Sequence, residues 1–280
     1  MFSYTGGIVL LAAVLHASWN AMLHGNRDRF LSMTWMSVAI AAVSTLVVLD
    51  HPLPPAASWP YIAASGLVHI FYNLCLVRSY RRTDLALAYP IARGSSPLIV
   101  TLGAALFAHE EIGPLRALGV AMISGGIIAI ALQGRRVSRA GVLAALATGA
   151  TIAVYTVIDG IGVRLAEGQA LVYTAWMFLF YWLMPALFVA ARGFAPLCRP
   201  VLAEPMSVAV SLAGGLVSIA AYGIVIWALQ SDAMGAVSAL RETSVVFAVL
   251  IGRLFLRETV SPTRWLACLV VAAGAVCLGL

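Results

Sequence analysis

Ten apolar runs of about 20 residues each decide what this chain can fold into. They fall at about 5–23, 31–49, 58–78, 85–107, 112–133, 140–160, 171–190, 206–229, 233–255 and 263–280. A helix of that length crosses the hydrocarbon core of a bilayer. The breaks between runs carry turn residues and charge: Gly25 to Arg27, Pro52 to Pro55, Arg81 to Asp84, Gly134 to Arg136 and Pro196 to Pro200. Most are under a dozen residues, which leaves no room for a soluble domain. Only 10% of the residues are charged, too few to cover a water-facing surface. The expected fold class is therefore all-α integral membrane.

The net charge of +6 is scattered through short loops, which points to membrane topology and away from nucleic acid. No basic residue precedes the first run, so that run reads as a retained span and not as a signal peptide. Cys75, Cys198, Cys268 and Cys277 form no CxxC pair, and they indicate neither a disulfide framework nor a zinc site.

The chain repeats itself. Residues 84–132 align without a gap on 232–280. Asp84 meets Asp232, Arg93 meets Arg241, Ser96 meets Ser244, Glu110 meets Glu258, Pro114 meets Pro262, Arg116 meets Arg264 and Gly126 meets Gly274. Apolar matches are cheap in such a sequence, whereas polar matches in strict register are not. With one gap, Gly66-Leu67-Val68-His69-Ile70 also pairs with Gly215-Leu216-Val217-Ser218-Ile219. The unit is thus five helices, residues 1–134 and then 135–280. Five is odd, so the second copy enters the membrane upside down: ten transmembrane helices as two inverted five-helix repeats, a signature of secondary transporters. Twelve arginines, Arg27, Arg29, Arg135, Arg136, Arg139 and Arg192 among them, lie in the loops after odd-numbered helices; Arg116 and Arg164 lie in the opposite set. That bias puts the odd loops in the cytoplasm and both termini outside.

The chain resembles the drug/metabolite transporter superfamily, in its ten-helix EamA-type branch. The resemblance rests on Leu106-Phe107-Ala108-His109-Glu110-Glu111 with Pro114 and Arg116, and on the second copy, Leu254-Phe255-Leu256-Arg257-Glu258 with Pro262 and Arg264. In size and helix count it is also similar to YddG-type amino-acid exporters. The resemblance implies a secondary transporter in the bacterial inner (plasma) membrane that moves small metabolites, with amino-acid export by alternating access as the best guess. The implied partners are a small-molecule substrate and the lipid bilayer. No cofactor is implied, and proton coupling and a monomer or homodimer are left open. Two features depart from the family: its termini are commonly cytoplasmic, and Glu242 stands where the first copy has Gly94. Export of other metabolites or drugs is the alternative. A membrane sensor or intramembrane enzyme is a different class, but no HExxH, GxSxG, Walker or GxGD pattern supports an enzyme.

Polar residues in lipid cluster toward protein or cavity. Four helices carry such stripes: His16 and Asn20; Ser65, His69 and Asn73; Thr148, Thr151, Tyr155 and Asp159; Ser211, Ser218 and Tyr222. Two come from each half, so a shared central cavity is the simplest reading, with Trp19 beside it. Hydrogen bonds that only hold the bundle together are the competing one, worth about 0.6 kcal/mol each. Arg93 sits about 13 Å into its helix, between Pro90 and Pro97, and Arg241 has the matching depth from the other side. Either they snorkel or pair, or they form a positive site for a substrate carboxylate. Glu242 is an ion-pair partner, a ligand for a substrate ammonium, or a proton-coupling group. Because residues i and i+1 diverge on a helix, Arg241 is expected to be a poor partner for it. Ala121, Gly125 and Ala129 make a small-residue ridge, echoed by Ala273 and Cys277, that reads as a packing seam within the bundle or between protomers.

Overall fold

A computed structural model of the chain describes residues 4–24, 28–82, 85–132, 139–255 and 260–279. Arg27, Arg135, Arg136, Asp84, Arg257, Glu258 and Leu280 lie outside them. The described chain forms ten long helical bodies. They are α1 (Tyr4–His24), α2 (Arg29–Asp50), α3 (Trp59–Arg82), α4 (Leu85–Phe107), α5 (Pro114–Leu132) and α6 (Arg139–Arg164). Then follow α7 (Ala170–Arg192), α8 (Pro205–Leu229), α9 (Met234–Glu242 and Ser244–Phe255) and α10 (Pro262–Gly279). A short helix, Ala195–Ala203, bridges α7 and α8. Nine bodies are apolar and long enough to cross a membrane among the described residues. The tenth, α3, has 24 residues, about 36 Å, but carries the polar stripe Ser65, His69 and Asn73.

The packing interleaves the two halves as an inverted repeat requires. Helix α1 packs on α8, and its repeat equivalent α6 packs on α3; α1 also packs on α9, and α6 on α4. Equivalent helices meet each other in the pairs α2–α7, α4–α9 and α5–α10. Buried hydroxyls are satisfied mostly by their own helix. Thr34, Ser37, Thr156 and Thr174 each donate to the carbonyl four residues back, and so does Thr151 of the predicted stripe.

Three helices depart from the regular α-helical ladder along their length. In α4, Pro97 lacks the N–H that would reach the Arg93 carbonyl, and the Ser96 hydroxyl donates to it at 3.2 Å. In α9 the helix stops at Glu242 and restarts at Ser244, with the Thr243 hydroxyl on the Leu240 carbonyl at 2.6 Å. In α7, Pro185 has no N–H for the Tyr181 carbonyl, and the turn before it tightens to a 3₁₀ segment, Leu179–Trp182.

The small-residue ridge faces the wrong way for a seam inside the bundle. Ala121, Gly125, Ala129 and Ala273 are exposed. The α5–α10 contact uses the opposite face, where Gly119 and Gly274 approach one another's backbone and Gly126 lies against Val271. A ridge of small residues marks close packing only where a partner helix lies over it, and α10 lies over the other face. Close approach is also strict between α8 and α2. A Cβ on Gly215 would lie 2.4 Å from the Met36 carbonyl oxygen, so Gly215→Ala is expected to lose about 1–3 kcal/mol. Gly125→Ala, with open space around it, is expected to melt like wild type in a detergent thermal scan.

Candidate functional site

The proline-bearing stretch of α4 and the interruption of α9 place three charged side chains together at the interface between the halves. Arg93 Nη1 donates to Glu242 Oε2 at 2.8 Å, and Arg241 Nε donates to Glu242 Oε1 at 3.0 Å. Arg93 and Arg241 are 2% exposed and Glu242 is 0%. The contact between Arg241 and Glu242 corrects the expectation that sequence neighbours diverge. Glu242 is the last residue of its helical segment, and there its side chain lies alongside that of Arg241.

Further polar groups surround this trio, Tyr72 beside Arg93 among them. Arg93 Nη2 contacts His16 Nε2, and Trp19 Nε1 points at His16 Nδ1 at 3.1 Å. Both approaching groups only donate, and a neutral imidazole offers one acceptor nitrogen. One of the two contacts is therefore unrequited. The formal charge of two guanidiniums and one carboxylate is a surplus of +1.

An aromatic layer lies beside the charged cluster. The Arg241 guanidinium stands 6.0 Å from the Tyr155 ring centre. Tyr155 stacks on His69 at 4.1 Å, and His69 meets Tyr222 edge-on at 5.1 Å. His69 Nδ1 lies 3.0 Å from the Ser65 carbonyl. A carbonyl only accepts, so the proton is on Nδ1 and the lone pair on Nε2. Below the rings, Asp159 is fully buried and accepts from Tyr173 Oη at 3.1 Å and Tyr222 Oη at 2.6 Å.

The residues singled out from sequence thus fall into two groups. His16, Trp19, Arg93, Arg241 and Glu242 form the charged group; His69, Tyr155 and Tyr222 form the aromatic one. Asn20 gives its amide N–H to the His16 carbonyl at 2.8 Å, and its Oδ1 has no partner among the described residues. Asn73 is buried beside Tyr181, and Ser218 is half-buried on α8. Trp176 packs edge-on against Trp59 at 4.7 Å, which makes it a packing residue. Sequence reasoning missed Tyr72, which is buried beside Tyr155, and the α7 residues Tyr173, Phe178 and Tyr181. A signal existed: Tyr173, Met177 and Tyr181 recur every four residues, one face of a helix.

A second polar cluster closes the face that carries the α4–α5 and α8–α9 loops. Glu110 pairs with Arg164, and its Oε2 accepts from the Met234 N–H at 2.9 Å, capping α9. Arg164 also donates to the carbonyls of Leu229 at 3.0 Å and Asp232 at 2.9 Å. On the opposite face Arg192 pairs with Asp28.

A two-fold arrangement of broken helices around a buried polar centre is a transporter's architecture, and sequence comparison agrees. The EamA-like transporter family model matches twice, over residues 6–132 and 139–280. The chain belongs to the EamA-like transporter family. As a member it is a membrane transporter of small molecules, consistent with the drug/metabolite transporter superfamily. No curated protein matches the chain. One solved structure, described only as the crystal structure of a protein, covers 98% of this chain and 94% of its own, with TM-score 0.73 and 22% identity. That likeness speaks for the fold of this EamA-like transporter and for nothing finer.

Proposed function

We propose that this EamA-like transporter exports amino acids across the bacterial inner membrane by alternating access. The halves 1–134 and 135–280 rock about the centre, with the arginine-rich face in the cytoplasm. The observation that carries this reading is the imbalance at the centre. Two buried guanidiniums hold a single carboxylate, with the half-buried His16 imidazole against Arg93 and the Trp19 N–H behind it. Such a site is short of one negative charge, and a substrate carboxylate supplies it. An ammonium group has an acceptor in the Oδ1 of Asn20, which has no partner among the described residues. The aromatic layer of His69, Tyr155 and Tyr222 then packs the apolar part of the substrate. His69, Asn73, Ser218 and Tyr222 enter this reading as lining groups contributed by α3 and α8.

The test is efflux from proteoliposomes loaded with a panel of radiolabelled amino acids. Wild type is expected to release at least one of them. His69→Ala and Tyr155→Ala are expected to slow that release several-fold at equal folded protein, and Cys75→Ala to leave it unchanged. Wild-type rates in both site variants would show that these stripes only join helices.

A further inference from the structure

The two buried acids of this bundle differ in the chemistry of their partners. Glu242 is held by Arg93 and Arg241, and guanidinium N–H groups can only donate. That setting satisfies a carboxylate and offers nothing to a carboxylic acid. Asp159 is held by hydroxyls, Tyr173 on α7 and Tyr222 on α8, with Ser65 on α3 near it, its own hydroxyl against His69 Nδ1 and Met177 Sδ. A hydroxyl donates or accepts as required. The two phenols therefore satisfy Asp159 with its proton and without it.

The other groups around Asp159 leave it without a counter-ion in contact. Tyr61 on α3 and Tyr181 on α7 complete the phenols near it. Tyr155 lies one turn back on its own helix, and His69 on α3 touches Tyr222. From α9, Arg241 acts on it through space, and Met234 packs against the neighbouring Gly160. From α4, the approach to this part of α6 is apolar, Gly103 against Val157. No ion pair to Asp159 forms among the described residues. A carboxylate fully buried in such a bundle with no paired cation is costly and marks a functional position.

We propose that Asp159, not Glu242, is the group through which this transporter exchanges a proton in each cycle. The inference rests on the transport reading above. When the centre opens to the side of higher proton concentration, Asp159 takes one proton from water and an O–H bond forms. When it opens to the other side, that bond breaks and the proton returns to water. The hydroxyl partners lie on α7 and α8 of one half, with Ser65 near Asp159 on α3 of the other, so the change in charge is felt across the interface between them. Through Tyr222, His69 and Tyr155, Asp159 lies one ring layer from Arg241, which links proton occupancy to the substrate site.

Two measurements on the full chain test the assignment. In infrared pH-difference spectra of the purified protein in nanodiscs, wild type is expected to show a titrating protonated-carboxyl band that Asp159→Asn lacks. A band that survives in Asp159→Asn, or its absence from wild type, overturns the proposal. In proteoliposomes, an imposed pH gradient is expected to change amino-acid flux several-fold in wild type, while Asp159→Asn exchanges substrate without responding to the gradient. A gradient response that persists in Asp159→Asn also overturns it. If Asp159→Asn does not fold, Tyr222→Phe removes one hydroxyl partner and must move the midpoint of the band; an unmoved midpoint counts against the proposal. Wild type that moves no amino acid refutes the proposed substrate class, and the infrared band then decides the role of Asp159 alone.

Discussion

Glu242→Gln is expected to cost more stability than any other conservative substitution in the chain. Glutamine keeps the shape and removes the charge. Both Arg93 and Arg241 depend on that charge, and each is 2% exposed. Removing one partner of a buried ion pair typically costs about 3–5 kcal/mol, because the charge left behind cannot reach water. Here two cations are left facing each other across a neutral amide. Arg241→Met is expected to be milder, since Arg93 and Glu242 remain as a balanced pair at 2.8 Å. The check is thermal unfolding of purified protein in detergent. The order predicted is wild type, then Arg241→Met, then Glu242→Gln, and a Glu242→Gln protein that melts like wild type would sink this account of the centre.

The second large effect is expected at Glu110, where the α4–α5 loop grips the start of α9. Glu110→Ala removes both the ion pair with Arg164 and the acceptor that caps the Met234 N–H. The pair is partly exposed, Arg164 by 29%, so solvent screens much of its charge and the cap carries more of the loss. About 1–2 kcal/mol is expected, the range of a lost helix cap. The double variant Glu110→Ala with Arg164→Ala is expected to be less destabilised than the sum of the single changes, because they break one shared interaction. The gripped loops join the two halves, so the same change should loosen this face. A cysteine at the buried position Ala236 in α9 should then react faster with a water-soluble thiol reagent. Unchanged melting together with unchanged labelling would show that the cluster holds nothing shut.

The fold was legible because membrane helices and inverted repeats leave one-dimensional traces. Arg93 with Arg241, Glu110 with Glu258 and Gly126 with Gly274 keep register over the last two helices of each half, and apolar drift cannot produce that. The charged centre was legible as a set of depths. Arg93 and Arg241 stood at matching levels, but nothing in the sequence told which groups would turn toward each other. The break after Glu242 decides that, and Thr243 gives no proline signal to announce it. Elsewhere the seam inside the bundle lies on another face than the sequence ridge. Ala121, Gly125 and Ala129 form as good a ridge as Gly119 and Gly126, and only the position of α10 distinguishes them. The α7 aromatics were missed because an apolar helix rich in Phe, Tyr and Trp reads as lipid-facing until Tyr173 is seen to reach Asp159.

The central claim is that the buried arginines hold the carboxylate of a small zwitterion. It is tested most directly by competition against efflux of whichever radiolabelled amino acid the panel identifies. The unlabelled amino acid, its carboxamide and its decarboxylated amine share one side chain and differ at the carboxyl group. The account predicts that only the intact amino acid competes, and that Arg241→Met protein loses this discrimination. Equal competition by the carboxamide or the amine in wild type would contradict it.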